Sequence, residues 1–451
     1  MRGLGRAATL PPMTVQIPQT GRPHDEILDE MRSLAQAEAS WEEGRTWSLV
    51  YHAGEEHTEF LKEAHGLFFS ENALNPLAFP ALRRFEAEVV RMTASMLNGD
   101  DRVAGTMTSG GTESLLMAVK TYRDWARATK GITEPNMVLP VTAHAAFDKA
   151  AHYFGVRQVR VQIADDLRAD PAAMEAAITS NTILMVGSAP DYPFGQVDPI
   201  EDLATIALGR GIGFHVDSCL GGFLVPWMER LGVRVGRWDF RVPGVTSMSA
   251  DVHKYGFAAK GASTILYRTP ELRRFQFHVT TDWPGGIYAS PSMAGTRPGG
   301  PIAAAWAALQ AIGQDGYLTM TEQILDTSRR LIDGVRSIDG LTMLGDPKLS
   351  VFSFVGTDVD TYAIGDVLES RGWHVDRQIK PASLHFMVTP AHAGIVDAFL
   401  EDLQRSVDEV RAHPELATSG QAAMYGMMTT LPDSDMLEEI VLQTLDGLYS
   451  T

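Results

Sequence analysis

The chain has 451 residues, of which 45% are hydrophobic, so it is long enough for a sizeable core and for about two or three folding units. Its 56 acidic side chains outnumber the 38 basic ones and give a net charge of -18, which argues against nucleic acid or an anionic membrane surface as the main partner. A single cysteine, Cys219, excludes an internal disulfide, and no apolar run reaches the roughly 20 residues that a membrane-spanning helix needs.

The N-terminal segment, residues 1–75, is predicted to be an arm followed by helices. Residues 1–21 are expected to form a mobile arm. Because residues 1–23 contain no continuous apolar core, no secretory signal is expected, and the cytoplasm is the default location. The helical spacing of apolar residues predicts one helix over 24–43 and another over 55–68.

A glycine-rich turn follows a proline-punctuated loop and a long amphipathic helix predicted over 81–97. It contains Gly110, Gly111 and Thr112 and leads into a helix predicted over 115–128. The glycines let backbone amides approach a ligand closely, and the helix start adds unpaired N–H groups and the positive end of the helix dipole. A helix-capping turn is the alternative, and a Walker loop is excluded because no Gly-Lys-Ser/Thr closes the motif. The turn is therefore predicted to bind a phosphate.

Strands and helices alternate in the next part of the chain. Strands are predicted at 137–141, 182–187 and 212–216, with helices between them. This pattern predicts a large α/β domain over 76–312, with a mostly parallel sheet, right-handed crossovers and helices on both faces. Ligands of such sheets bind beyond the carboxyl ends of the strands. The side chains that fall there are His144, Tyr192, Asp217 and Lys254.

The last part of the chain has a different pattern. A segment rich in glycine and proline, 280–300, is expected to be a long functional loop without a regular element. A helix predicted over 302–311 and continued over 316–337 leads into a smaller α+β C-terminal domain, 313–451. The elements predicted there are strands at 351–355 and 384–388 and helices at 362–369, 394–411 and 433–448.

One lysine, Lys254, lies in a polar turn between two β-prone runs, 245–248 and 263–267. A lysine inside a folded domain is uncommon unless it has a partner or a task. A desolvated amine is expected to lose its proton more easily, and it can form an imine with an aldehyde. Because a lone His-Lys pair is more often a surface turn, the hypothesis of a Schiff base to pyridoxal 5'-phosphate requires further anchors for that cofactor.

The sequence supplies those anchors in the order glycine turn, histidine, aspartate, lysine. The protonated ring nitrogen calls for a carboxylate, and Asp217 fits, although it could also cap a helix. The flat ring calls for a planar partner, and His144 fits, although it could also be a core histidine. The phosphate calls for the glycine turn together with Ser249 or His253. The combination predicts pyridoxal 5'-phosphate as the cofactor, and since no metal-ligand spacing is present, no metal site is predicted.

These motifs also make the chain resemble a known family. It resembles the sphingosine-1-phosphate lyases, within the fold-type-I pyridoxal-phosphate enzymes of the group II amino-acid decarboxylase type. The resemblance extends from about Trp47 to the C-terminal tail. The segments that carry it read FPALRRFEAE at 79–88, TSGGTES at 108–114, AHAAFDKAA at 143–151, HVDSCLGGF at 215–223, SADVHKYG at 249–256 and DWPGGIYASP at 282–291.

The resemblance implies a role for each cofactor-binding residue and a homodimer with shared active sites. Lys254 forms the Schiff base, Asp217 pairs with the pyridine nitrogen and His144 stacks on the ring. The residues implied at the cofactor phosphate are Gly111, Thr112, His253 and Thr296 of the partner subunit. Eukaryotic members carry an N-terminal membrane helix that this sequence lacks, which implies a soluble, bacterial-type enzyme.

The reaction implied by the resemblance is a retro-aldol cleavage between C2 and C3 of a phosphorylated long-chain 2-amino-3-hydroxy compound. Its products are a fatty aldehyde and phosphoethanolamine. Tyr51 and Tyr192 match tyrosines at the reacting centre, and Lys260 matches a lysine near the substrate phosphate. The base that takes the proton of the C3 hydroxyl stays open among Tyr51, Tyr192, a lysine and the phosphate itself.

One position departs from the family pattern. The lyases use a histidine for the substrate phosphate where this chain has Asn75, and an asparagine can donate a hydrogen bond but cannot carry the charge of an imidazolium. A non-phosphorylated β-hydroxy amine, or an amino acid undergoing decarboxylation, is therefore an alternative substrate. A catalytically silent cofactor-binding protein is a third hypothesis, and the retained lysine, aspartate and histidine argue against it.

Overall fold

The large domain is built on a seven-stranded sheet. The computed structural model describes residues 16–36, 38–39, 41–430 and 434–449, so most of the predicted arm lies outside the described residues. The strands of the sheet are β1 (Ala104–Thr108), β2 (Asn136–Pro140), β3 (Arg157–Val161), β4 (Thr182–Ser188), β5 (Gly213–Asp217), β6 (Ser247–Ala250) and β7 (Ser263–Tyr267).

The strands lie in the order β1-β7-β6-β5-β4-β2-β3. Neighbours from β6 to β3 run parallel, whereas β7 is antiparallel to both β6 and β1. The predicted mostly parallel sheet is therefore confirmed. The sequence does not predict β1, whose small and polar residues resemble the glycine turn that follows. It does not predict β3 either, since this edge strand carries an exposed arginine, Arg157, and a partly buried one, Arg160.

Helices cover both faces of this sheet, as predicted. Along β4, Met185 packs into one core cluster, while its neighbours Leu184 and Val186 pack into a second. Successive strand residues point to opposite faces, so both faces are buried. The helices before and within this domain are α1 (His24–Ala35), α2 (Glu55–Leu67), α3 (Pro80–Met96), α4 (Gly111–Lys130), α5 (Ala146–Phe154), α6 (Pro171–Ala176), α7 (Ile200–Arg210), α8 (Val225–Arg230) and α9 (Pro270–Arg273).

The first helix is shorter than predicted. The prediction extended it to Glu43, but it ends at Ala35. Its apolar side chains Ile27, Met31 and Leu34 are 37%, 59% and 69% exposed, so α1 gains little from packing within the protomer. A helix without tertiary contacts is marginal in water, which accounts for its early end.

A short hairpin lies in the glycine- and proline-rich segment. Strand β8 (His278–Thr280) pairs antiparallel with β9 (Tyr288–Ser290). The prediction that 280–300 contains no regular element is therefore wrong for β9. Three of the eight glycines and prolines of this segment lie in the connection between the two strands and five follow β9, so none interrupts the pairing.

A long helix, α10 (Gly299–Ser337), connects the two domains. Its backbone leaves the helical conformation at Gly313, with φ 60° and ψ 177°, between the two predicted parts of the helix. The C-terminal sheet has the antiparallel order β10-β11-β13-β12 and confirms the predicted smaller α+β domain. Its elements are β10 (Leu341–Met343), β11 (Val351–Gly356), α11 (Thr361–Ser370), β12 (Asp376–Ile379), β13 (Ala382–Met387), α12 (Val396–Ala412), α13 (Gly420–Thr430) and α14 (Ser434–Tyr449). None of the helices in the described part of the chain combines the length and apolar character that a bilayer span requires.

The segment before Tyr51 joins the C-terminal domain to the large domain. Thr46 forms an isolated bridge with His374, and the backbone N–H of Met387 donates to the carbonyl of Trp47 over 3.0 Å. The ring of Trp47 stacks on His392 with a centroid distance of 4.5 Å. These contacts fix the segment on the C-terminal domain immediately before it reaches Tyr51.

Candidate active site

The carboxyl ends of β5 and β6 place the first two site residues side by side. Asp217 is the last residue of β5 and lies opposite Ser249 of β6. The Asp217 side chain is buried, and its Oδ1 accepts hydrogen bonds from the backbone N–H of Cys219 (3.1 Å) and the hydroxyl of Ser249 (3.3 Å). Ser249 therefore orients the carboxylate, which makes Asp217 a fixed acceptor at the edge of the sheet.

The glycine turn lies against the loop that carries the lysine. A Cβ atom on Gly111 would lie 2.7 Å from Oδ2 of Asp251, and one on Gly110 would lie 3.3 Å from the ring of His253. A larger residue at position 111 would therefore displace this loop. The backbone N–H and hydroxyl of Ser109 donate to Glu113 over 2.7 and 2.6 Å, which fixes the turn at the start of α4. Thr112 is exposed in the first turn of that helix.

Lys254 lies beside a buried carboxylate that the sequence reasoning did not single out. Its Nζ is 3.0 Å from Oδ2 of Asp251, which is 1% exposed. Burial lowers the pKa of Lys254, but the charge of Asp251, helped by Cys219 and Asp217, raises it above its ordinary value. The expectation that desolvation would ease loss of the proton is therefore wrong for this pair, because the neighbouring charge outweighs burial.

The same carboxylate lies near His253, at 3.7 Å from its Nε2. Burial would raise the pKa of Asp251, but Lys254 and His253 hold it below its ordinary value. Burial lowers the pKa of His253 to about 4, so its imidazole is neutral at physiological pH. Asp251 could have been found in the sequence, since it lies three positions before the lysine in one turn.

Two ring-bearing residues, His144 after β2 and Tyr192 after β4, lie at the same edge of the sheet as Asp217. The backbone N–H of Ala146 donates to Nδ1 of His144 over 3.1 Å, which orients the exposed imidazole ring. Tyr192 meets His144 edge-to-face at a centroid distance of 6.5 Å. Both side chains therefore lie beyond the sheet edge, on the side where Asp217 ends its strand.

Tyr51 and Lys260 form a second pair at the site. The hydroxyl of Tyr51 donates to the sulfur of Met387 over 2.9 Å, and its ring meets that of Tyr255 edge-to-face at 5.0 Å. Burial, with Tyr255 and Asp251, raises the pKa of Tyr51 well above its ordinary value. Nζ of Lys260 lies 5.1 Å from the centre of the Tyr51 ring and donates to the carbonyl of Leu49 over 2.6 Å. Burial and the charge of Lys254 lower the pKa of Lys260 to about 8.

Asn75 and Thr296 lie on exposed loops of the protomer. Oδ1 of Asn75 accepts the backbone N–H groups of Leu77 and Ala78, both over 3.1 Å, so the side chain folds back on its own loop. The amide of Asn72 donates to the hydroxyl of Thr296 over 3.3 Å and links the two loops. Thr296 lines a cavity of about 90 Å³ together with Ser109, next to the glycine turn.

The residues present fit pyridoxal 5'-phosphate. The glycine turn brings the start of α4 closer to Asp251 than a Cβ atom on Gly111 would allow, and a neutral histidine borders it. A buried, oriented carboxylate and a lysine amine lie on the neighbouring strand ends. These donors and acceptors match the phosphate, ring nitrogen and aldehyde of the cofactor.

Comparison with known proteins gives a consistent result. The family model described as pyridoxal-dependent decarboxylase conserved domain matches residues 8–355. The chain is 45% identical over 438 residues to sphingosine-1-phosphate lyase 1 of Rattus norvegicus, with 96% of this chain and 77% of that protein covered. It is 43% identical over 432 residues to the sphingosine-1-phosphate lyase of Arabidopsis thaliana, with 94% and 79% covered.

Solved structures agree. A sphingosine-1-phosphate lyase of Burkholderia pseudomallei K96243 has a TM-score of 0.86 and 38% identity, with 94% of this chain and 98% of that chain covered. A glutamate decarboxylase of Lactobacillus brevis has a TM-score of 0.77 at 19% identity, covers 88% and 95%, and shares the fold. The chain therefore belongs to the sphingosine-1-phosphate lyase family of pyridoxal-dependent, decarboxylase-like enzymes.

Proposed function

We propose that the protein cleaves the C2–C3 bond of phosphorylated sphingoid bases, with pyridoxal 5'-phosphate as cofactor, and releases a long-chain aldehyde and phosphoethanolamine. The observation that carries the proposal is the convergence on Asp251, whose Oδ2 lies 3.0 Å from Nζ of Lys254 and 2.7 Å from the position of a Cβ atom on Gly111, while the charge of Asp217 helps to raise the pKa of Lys254. The lyases at 39–45% identity support this reaction. The decarboxylase at 19% identity supports only the fold, so the alternative of amino-acid decarboxylation is not favoured.

Different residues of the chain would hold different parts of the cofactor. When bound, pyridoxal 5'-phosphate supplies an aldehyde for an amine and a sink for the electrons of the broken bond. Gly110, Gly111 and Thr112 would hold its phosphate through backbone N–H groups at the start of α4, with His253 as a neutral donor. Asp217 would hold the proton on the ring nitrogen, and His144 would lie against the ring.

A direct assay tests the function. The holoenzyme is incubated with sphinganine phosphate, and the products are analysed for long-chain aldehyde and for carbon dioxide. We expect aldehyde and phosphoethanolamine in equal amounts. Release of carbon dioxide from an amino acid, without aldehyde from the lipid, would favour the decarboxylase instead.

The substrate phosphate is proposed to bind near Lys260. Because burial and Lys254 lower its pKa to about 8, the ammonium is charged below that pH and neutral above it. The KM for sphinganine phosphate should therefore be constant below about pH 7 and rise toward about tenfold per pH unit above pH 8, as the attraction to phosphate is lost. Lys260→Arg is the control, since a guanidinium stays charged throughout this range. The same rise in KM in this variant would show that another group titrates.

Asn75 provides a test of the phosphorylated substrate. If this position faces the substrate phosphate, Asn75→His should lower the KM for sphinganine phosphate several-fold below about pH 6.5, because an imidazolium forms a charge-assisted hydrogen bond. Asn75→Ala is the matched control, as it removes the same hydrogen bonds to Leu77 and Ala78 without adding a charge. An equal KM in the two variants would mean that residue 75 does not contact the phosphate.

The protein is proposed to be a homodimer with shared active sites, in which Thr296 of the partner subunit lies at the cofactor phosphate. Leu67, Phe69 and Leu77 are 72%, 76% and 83% exposed in the protomer and flank the loop of Asn75. Apolar side chains this exposed and this close in sequence support burial against a second copy. Light scattering of the active enzyme should give twice the chain mass of 49.2 kDa. A fully active monomer would contradict the shared site. The cytoplasm is the proposed location, on composition alone.

A further inference from the structure

One cross-strand pair of the C-terminal domain contacts Tyr192. Asp376 of β12 lies opposite His385 of β13, so both side chains are on the same face of the sheet. The ring of His385 stacks on that of Tyr192 with a centroid distance of 4.2 Å and an interplanar angle of 25°. Oδ2 of Asp376 lies 3.3 Å from the hydroxyl of Tyr192. Tyr192, which also meets His144 edge-to-face, is therefore held by two residues of the C-terminal domain.

The hydrogen-bond directions in this group follow from its chemistry. Burial would raise the pKa of Asp376, but His385, Ser48 and Tyr192 hold it below its ordinary value, so it is ionised and only accepts. The hydroxyl of Tyr192 must then donate to Asp376. Its oxygen presents only lone pairs to the rest of the site, which makes it an acceptor for a substrate hydroxyl.

The histidine positions the tyrosine. Nε2 of His385 lies 2.8 Å from the carbonyl of Tyr192, so Nε2 carries the hydrogen. The other nitrogen, Nδ1, is buried 3.7 Å from Oδ2 of Asp376, and it has no hydrogen-bond partner among the described residues. By bonding to the Tyr192 carbonyl and stacking on the Tyr192 ring, His385 fixes the phenol beside Asp376.

The loop of Tyr192 does not need Asp376 for its position. The carbonyl of Pro193 accepts hydrogen bonds from Ser353 (2.6 Å) and Gln378 (2.9 Å), which anchor the loop to the C-terminal sheet. Asp191 accepts the backbone N–H of Phe194 over 2.7 Å and fixes the following turn. What Asp376 adds is a proton acceptor aimed at the phenol.

On the basis of the proposed function, we propose that Tyr192 and Asp376 form the proton relay that serves as the base of the reaction, with His385 holding the Tyr192 ring in place. As the C2–C3 bond breaks, the proton of the C3 hydroxyl passes to the oxygen of Tyr192, and the phenol proton passes to Oδ2 of Asp376. The C3–O bond becomes a carbonyl, and the electron pair of the broken bond stays with the C2 fragment. Tyr192 then gives a proton to C2 and takes its own back from Oδ2 of Asp376, so the enzyme recovers its initial protonation state. Asp376 acts through Tyr192 and is a positioning and proton-accepting residue of the C-terminal domain.

Asp376→Asn tests the relay, because asparagine keeps the size and the hydrogen-bond acceptor but cannot take up a proton. We expect the single-turnover rate of aldehyde formation to fall about 100-fold, the scale of general base catalysis, with KM within about twofold. The rate of Tyr192→Phe should fall by the same factor. The rate of the double variant should be no lower than that of either single variant, because both substitutions break the same relay. Ser353→Ala is the matched control: it loosens the same loop without touching the phenol, and its rate should stay within about threefold of the parent.

A solvent isotope measurement separates proton transfer from positioning. The single-turnover rate of the parent enzyme is measured in mixtures of light and heavy water and plotted against the deuterium fraction. We expect a curved plot, because two protons move in the same step. Asp376→Asn should give a straight line. A parent-like rate and curve in Asp376→Asn would overturn the relay while leaving the proposed function intact. A parent enzyme that forms no aldehyde would overturn the proposed function and the relay with it.

Discussion

Lys254→Ala is expected to abolish both the covalent attachment of pyridoxal 5'-phosphate and the cleavage of substrate, with a loss of at least about 1000-fold in kcat. Lys254 lies beside the buried carboxylate of Asp251, which the glycine turn also approaches, and the charge of Asp217 helps to raise the pKa of the lysine. Alanine at this position cannot form an imine. The cofactor would then be held only by hydrogen bonds and ring contacts.

Mass spectrometry after borohydride reduction measures this prediction without an activity assay. The parent protein should gain the mass of one reduced cofactor per chain, on the peptide that contains Lys254, and Lys254→Ala should gain none. Lys260→Ala is the control, since Lys260 lies nearby but donates to the carbonyl of Leu49. It should be labelled like the parent. Labelling of Lys254→Ala at Lys260 or elsewhere would disprove the assignment of the lysine.

Arg297→Ala is expected to lower the free energy of unfolding by about 3–5 kcal/mol, the cost of leaving one partner of a buried ion pair alone. The Arg297 guanidinium binds both carboxylate oxygens of Glu86, with Nη1 at 3.0 Å from Oε2, and the two side chains are 9% and 17% exposed. Arg297 also donates to the carbonyl of Met107 over 3.2 Å. The pair therefore joins α3, the end of β1 and the loop of Thr296 next to the glycine turn.

Chemical denaturation of the parent and variants measures the effect. The double variant Glu86→Met with Arg297→Met is the control, because two apolar side chains leave no unpaired charge. It should lose clearly less stability than Arg297→Ala alone. If Arg297→Ala costs less than about 1 kcal/mol, then water reaches Glu86 and the pair is not a buried one.

The sequence predicts those parts of the fold that have a local signal. The strands β2 and β4 contain continuous apolar runs, β5 is apolar apart from His215 and its last residue Asp217, and the glycine at position 313 separates the two parts of a long helix. Strand β1 lacks such a signal, because its pairing with β7 comes from residues more than 150 positions away in the chain. The hairpin of β8 and β9 is hidden by the composition of the turn between its strands.

The candidate site, too, is predicted where the sequence has a local signal. Apart from Thr296, the residues proposed to bind the cofactor come within a few positions of a predicted strand end or of the glycine turn, so the sequence alone predicts them on one edge of the sheet. Asp376 and His385 could not be predicted, since 184 positions separate Tyr192 from Asp376. The protonation of Lys254 was also not predictable from burial alone, because it depends on the distance to Asp251.

The segment from Thr46 to Tyr51 couples the C-terminal domain to the active site. The carbonyl of Trp47 accepts a hydrogen bond from the C-terminal domain, and the carbonyl of Leu49 accepts one from the Lys260 ammonium. A rotation of the C-terminal domain would therefore move this segment, and with it the Tyr51 hydroxyl and the Lys260 charge. The same rotation would shift Asp376 relative to Tyr192. Closing the domains and assembling the substrate-facing groups would then be a single event.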